Sequence, residues 1–253
     1  MWISEYRDLI WILTISDLKV KYQSSVLGFL WSLLNPLLLM LILYVVFSSI
    51  FRVTEENFAI YLLVGIITWR FFANGTSAAV PNIVNKASLV TKVYIPRQIL
   101  VFSSVLSSMI SSLLEFGVLF IFVAVFSEHI TFNVLLFPVI QALFFILVFG
   151  VSLILGGLYV YYRDLTQIWE VILQLGFFLS PIVYPLSILP ESLLPYYLLN
   201  PITVIIQAYR DIFLTGVTPP AWEMAYLAGV SLFLLVVGGL IFNRLERRFA
   251  EEI

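Results

Sequence analysis

Few residues of this chain could do covalent chemistry. The single histidine, His129, sits in a short outer link at 127–133 and reads as a solvated loop residue. With no cysteine there can be no disulfide framework, no thiolate metal site and no cysteine nucleophile. No G-x-x-x-x-G-K-[ST] phosphate loop occurs, so if ATP powers this protein another chain must bind it. A membrane glycosyltransferase or phosphatase would need convergent carboxylates or histidines at a water interface, and Asp164, Glu170 and Asp211 are too scattered to make one site. The expectation is a chain with no catalytic residues, no metal and no cofactor of its own.

Two charges stand out because of where they lie. Arg70 and Glu115 each interrupt a long apolar run. If those runs are antiparallel helices rising 1.5 Å per residue, both charges fall roughly 17 to 18 Å from the same end. A charge at that depth costs several kcal/mol unless it is paired or wet, so the two are expected to face each other. One reading is a proton or ion relay. The other is a buried pair that holds helix register, preferred here because a relay would use more titratable groups.

The elements that must carry these charges are membrane helices. Apolar residues are 62% of the chain and charged ones 11%, against about half and about a quarter in a soluble domain. The net charge of −2 also argues against a nucleic-acid surface. Crossing the hydrocarbon takes roughly 20 apolar residues. Residues 27–51, 58–80, 99–126, 134–159 and 224–242 meet that, and 168–183 makes a shorter sixth span whose outer end is bent by Pro181 and Pro185. Arg7, Lys19, Lys21, Lys86, Lys92, Arg97, Arg163, Arg244, Arg247 and Arg248 then share one face, with Arg52 and Arg210 on the other. The positive-inside rule makes the first face, and both termini, cytoplasmic.

Three further segments belong to neither a span nor a plain loop. Trp2, Tyr6, Leu9 and Leu13 recur at helical spacing, which predicts an interfacial helix within residues 1–24. The loop at 82–98 mixes Lys86, Lys92 and Arg97 with Leu89, Val90, Val93, Tyr94 and Ile95, apolar groups that need a protein partner or the headgroups to dock on. Residues 184–221 are apolar yet cut by six prolines. They read as re-entrant half-helices at the outer face, or alternatively as an amphipathic cap on the membrane surface. Phe 22, Tyr 13 and Trp 6 exceed what interfacial belts need, so some rings must face the interior, where aromatic faces could stack on sugars.

Read together, DLKVKYQSSVLGFLWSLLNPLL (17–38), NKASLVTKVYIPRQIL (85–100), YYRDLTQIW (161–169), FFLSPIVYP (177–185) and LNPITVIIQAYRDIF (199–213) resemble the permease subunits of ABC transporters that export O-antigen, teichoic acid or capsule-like polysaccharide. The resemblance covers nearly the whole chain. It implies an all-α integral membrane protein of the bacterial inner membrane, a single permease domain over 1–253. Six transmembrane helices would be joined by an N-terminal interfacial helix and an outer hairpin between helices 5 and 6. It implies a homodimer that carries two separately encoded cytoplasmic ATPase subunits, which would hold ATP and Mg, and a lipid-linked glycan as cargo. It further implies that helices 1 and 5 line the path, with Trp31, Tyr44, Phe47, Trp169, Phe177, Phe178 and Tyr184 as channel candidates. Coupling to the ATPase falls to Asp17, Lys19, Lys21 and Tyr22 in the N-terminal helix, and to Lys86, Leu89, Lys92, Tyr94, Ile95 and Arg97 in the loop. Arg210 and Asp211 lie in the outer segment. The alternatives are an ABC permease for drugs or small lipids and an ion-coupled secondary transporter; the latter would need internal repeats and more midplane charges than Arg70 and Glu115.

Overall fold

The fold was taken from a computed structural model of the full chain, which describes residues 5–23, 25, 27–28, 30–49, 57–92, 95–126 and 131–252. Among these residues the structure is helical, with no strand. The helices are α1 (Arg7–Tyr22), α2 (Leu30–Ser49), α3 (Phe58–Ala79), α4 (Asn82–Asn85), α5 (Ala87–Lys92), α6 (Gln98–Phe126), α7 (Phe137–Tyr159), α8 (Leu165–Leu179), α9 (Leu194–Leu198), α10 (Pro201–Arg210), α11 (Ala221–Leu245) and α12 (Phe249–Glu252).

Five of them, α2, α3, α6, α7 and α11, are long and apolar enough to cross a membrane. The sixth predicted span is α8. It has 15 residues, about 22 Å, and ends before Pro181, where the chain turns extended at Ser180. Inside α2, Pro36 removes the N–H that would bond the Ser32 carbonyl, which weakens the first turns of that helix.

α3 is the centre of the bundle. It is buried along nearly its whole length and packs against α2, α6, α7, α8 and α10. The closest pairing joins α7 to α11, and glycines make it possible. A Cβ on Gly150 would stand 2.6 Å from the Leu234 carbonyl carbon, and one on Gly238 would overlap the Gly150 carbonyl. Association in lipid relies on such backbone approach, because apolar surface gains little there by leaving the solvent.

The N-terminal helix differs from the expected surface anchor. Its stripe of Tyr6, Leu9 and Leu13 turns inward onto the core, and Ile10, Leu13 and Thr14 are buried, while Trp11 and Ile12 stay exposed. Trp2 lies outside the described residues. Thr14 Oγ1 lies 3.4 Å from the Ser103 carbonyl and the Tyr22 hydroxyl 3.4 Å from Ser111 Oγ. Both pairs are 89 residues apart, so α1 runs parallel to the first half of α6. The α6 face on this side carries buried serines, Ser103, Ser104, Ser107, Ser108 and Ser111.

The aromatic surplus is mostly spent on packing. Phe116, Phe137, Tyr209 and Phe213 form one cluster, with ring centroids of Phe116 and Tyr209 4.9 Å apart, and Phe71 meets Phe144 edge-on at 4.9 Å. Such offset and edge contacts contribute about 0.5–1.5 kcal/mol each beyond burial.

Candidate functional site

At one end of the bundle the basic residues are tied to neighbouring segments. Lys86 Nζ sits 2.7 Å from Asp17 Oδ1 and 2.8 Å from Oδ2, joining the α4–α5 connection to α1. Asn82 reaches the Leu100 carbonyl at 2.6 Å, and Leu89 and Ile95 pack partly against the core. Arg97 donates to the Glu246 carbonyl at 2.7 Å and lies over the Phe249 ring. Tyr161 donates to the Leu245 carbonyl and Arg163 to that of Glu252. The segments around Asp17, Lys86, Arg97, Arg163 and the C-terminal helix thus form one connected end. Lys19 and Lys21 are exposed there, and Lys92 closes α5. Tyr94 and Val93, like His129 and Arg52, lie outside the described residues.

Deeper in, Arg70 and Glu115 lie together. Arg70 Nη2 is 3.2 Å from Glu115 Oε1, and Nε stands 3.4 Å from both carboxylate oxygens. Glu115 is almost wholly enclosed at 3% side-chain exposure, whereas Arg70 keeps 23%. The guanidinium therefore separates a dry carboxylate from a more open space.

That space is a cleft of about 260 Å³ lined by Lys21, Tyr22, Trp31, Ser32, Asn35 and Arg70 among others. A second cleft of about 570 Å³ adjoins it through Lys21 and reaches the basic end, passing Asn74, Ser77, Asn85, the Asp17–Lys86 bridge and Ser104, Ser107 and Ser108. Sequence reasoning missed these serines and asparagines. The signal was present: Ser103, Ser104, Ser107, Ser108, Ser111 and Ser112 repeat every fourth residue in an otherwise apolar helix.

The channel candidates do not share one surface. Trp31, Tyr44 and Phe178 are exposed on the surface of the single chain. Trp169 and Phe177 turn toward α3: Trp169 Nε1 donates to Thr76 Oγ1 at 2.9 Å, and Phe177 meets the Trp69 ring at 6.1 Å. Phe47 packs partly against the core. The Tyr184 hydroxyl donates to the Phe178 carbonyl at 2.8 Å and lies 3.2 Å from the Tyr197 hydroxyl.

At the opposite end, α10 starts with Asn200 capping the Ile202 N–H and Pro201 in its first turn, and passes into a π-helical turn at Asp211–Thr215 that Gly216 ends with φ 64°. Arg210 is buried. Its Nη2 donates to the Ile182 carbonyl at 3.1 Å and its guanidinium lies 3.4 Å from the Tyr61 ring centroid, so it joins the start of α3 to the chain beyond α8. Beside it, burial raises the Asp211 carboxyl above the usual carboxylate range. No group of three or more potential metal ligands occurs among the described residues.

Comparison with known families matches residues 8–214 to the family described as ABC-2 type transporter. The chain belongs to the ABC-2 type transporter family. As an ABC-2 family member with five long apolar helices, it is a multi-pass membrane protein. It is 34% identical over 251 residues to "O-antigen export system permease protein RfbA" of Myxococcus xanthus, covering 98% of this chain and 96% of the relative. A protein of the same name from Klebsiella pneumoniae is 33% identical over 249 residues, 96% of this chain and 94% of the relative. "Polysialic acid transport protein KpsM" of Escherichia coli is 24% identical over 238 residues, 92% of each.

Proposed function

We propose that the chain is the transmembrane subunit of an ATP-driven ABC exporter that moves a lipid-linked polysaccharide outward across the inner membrane. The observation that carries this reading is end-to-end similarity to O-antigen export permeases at about one-third identity, with no large insertion left to supply a different activity. The subunit works as a homodimer on two copies of a separate ABC ATPase, which binds ATP and Mg. Its basic end faces the cytoplasm, with both termini.

In this reading α8 crosses as the fifth of six spans, its shortness made up by the buried turn from Ser180 to Val183. Residues 184–221 form the outer re-entrant element, held down by Arg210. The outward surfaces of α2 and α8 support a path between two copies, because both helices keep large apolar side chains exposed: Leu38, Leu41 and Ile42 on one, Val171, Leu175 and Phe178 on the other. ATP-driven closure of the partner is received by α1 and the 82–98 segment as one unit, since Asp17 and Lys86 are bridged.

The test is reconstitution. Co-expressed with its ATPase and a lipid-linked glycan, the chain should co-purify with the ATPase and place glycan on the far side of the membrane only when ATP is hydrolysed. Transport by the chain alone on an ion gradient would reject the reading and favour a secondary transporter.

A further inference from the structure

The segment that follows α11 is tied to the rest of the basic end at many points. A 3-10 turn at Glu246–Arg248 leads into α12, and Phe249 at the start of that helix is fully buried. Its ring meets three separate parts of the chain. Phe242 of α11 stands edge-on with centroids 5.5 Å apart, Tyr161 of the α7–α8 link lies at 6.2 Å, and the Arg97 guanidinium sits 5.9 Å from the ring centre. Contacts of this kind hold orientation as well as area, because the negative face and positive edge of a ring each prefer a particular neighbour.

Hydrogen bonds repeat the same connections. Carbonyls near a helix end are the ones left to accept from outside the helix. Here Leu245 accepts from the Tyr161 hydroxyl at 2.8 Å, Glu246 from Arg97 Nη1 at 2.7 Å and Glu252 from Arg163 Nη2 at 3.2 Å. Gln98 donates to Asn243 at 2.6 Å. A Cβ on Gly157 would stand 3.3 Å from Leu245 and 3.4 Å from Phe242, so α7 and α11 also lie close where the link to α8 begins.

Read along the chain, these contacts join two segments with different tasks. Arg97 and Gln98 end the 82–98 segment, which receives the movement of the ATPase in the exporter reading. Tyr161 and Arg163 lie four and two residues before α8 starts at Leu165, and α8 is one wall of the path. Capping the end of the bundle would need only an apolar ring over α7 and α11. The hydrogen bonds to Arg97, Gln98, Tyr161 and Arg163 are what a joint between those segments needs in addition. A node packed like a protein interior passes a displacement on, because it has little free volume in which to absorb it.

We propose that residues 243–252, anchored by Phe249, join the 82–98 segment to the start of α8, so that movement received at Arg97 and Gln98 repositions the path helix. Phe249, Arg97 and Tyr161 are positioning residues that act through α8. The proposal rests on the exporter reading above.

The experiment measures glycan exported per ATP hydrolysed by the chain reconstituted with its ATPase, a ratio that loss of folded complex alone does not change. Phe249→Ala removes the shared ring and should lower that ratio by roughly threefold to thirtyfold while ATP is still hydrolysed. A smaller fall means that the ring only stabilises the end of the bundle, and overturns the proposal. Because Phe249→Ala empties a buried site, a second measurement leaves the core intact. Gln98→Cys with Asn243→Cys, bridged by a short bis-thiosulfonate reagent in this cysteine-free chain, fixes the 82–98 segment to α11. Segments that travel together tolerate such a bridge, so the bridged protein should keep at least about half the export of the same protein unbridged. A larger loss, reversed by dithiothreitol, shows that the two slide past each other and overturns the proposal. A wild-type chain that exports nothing with its ATPase rejects the exporter reading and this proposal with it, whereas a wild type that exports beside either overturning result rejects the proposal alone.

Discussion

At the scale of single residues, two ion pairs carry separate predictions. Removing one member of a buried pair strands the other, at a cost of about 3–5 kcal/mol. Because Arg70 retains access to the cleft, Glu115→Leu should fall near the lower end, seen as a lowered melting midpoint of the purified chain. The double change Arg70→Met with Glu115→Leu should recover most of that midpoint. If export recovers as well, the pair only sets register; recovery of stability with export still absent would give the charges a part in transport. The Asp17–Lys86 bridge is about a fifth exposed, at 22% and 17%, so its loss should cost less stability than that of the Arg70–Glu115 pair, whose carboxylate is enclosed. Its effect belongs to coupling. Lys86→Asp alone should depress ATP-driven export, and adding Asp17→Lys should restore it; export that is unaffected by Lys86→Asp would remove the bridge from the coupling unit. Ile95 shows a limit of reading residues singly. Its sequence context suggested a free docking group, but it packs partly against the core, so Ile95→Asp would harm folding as well as any contact with a partner.

At the scale of elements, the α7–α11 contact is the one that a single atom can break. Gly238→Val places side-chain carbon where the Gly150 carbonyl already lies, so the helices must separate along their length. The expected result is loss of folded protein from the membrane fraction. Gly239→Val, one position on, meets nothing within 4 Å and should behave as wild type. Equal yields from the two variants would show that the approach of these helices is looser than described. The outer segment has a comparable anchor in Arg210. Arg210→Met keeps the bulk and removes the donor to the Ile182 carbonyl and the cation over Tyr61, which should speed proteolysis within 184–199 without dissolving the bundle.

For the whole molecule, the absence of cysteine makes sidedness directly measurable. If α8 crosses, single cysteines at Tyr162 and Ser187 should react with impermeant reagent from opposite sides of the membrane. If both react from the same side, α8 is not a span and the even count fails. A cysteine at Ala87 should label from the cytoplasm and one at Thr218 from outside.

The positions of α2, α3, α6, α7 and α11 were legible in the sequence to within a few residues, because length and apolar content are local properties that lipid reads directly. The facing of Arg70 and Glu115 was legible too, since depth along a helix follows from residue number and a charge in an apolar layer has few choices of partner. What tertiary structure alone decided was direction around each helix axis. Nothing local says that the N-terminal helix packs along α6 and not on lipid headgroups, that Trp169 turns toward Thr76, or that Ser104, Ser107 and Ser108 line a cleft beside Lys21. In a chain apolar on every face, periodicity loses its contrast, and only the neighbours that a side chain meets determine which way it points.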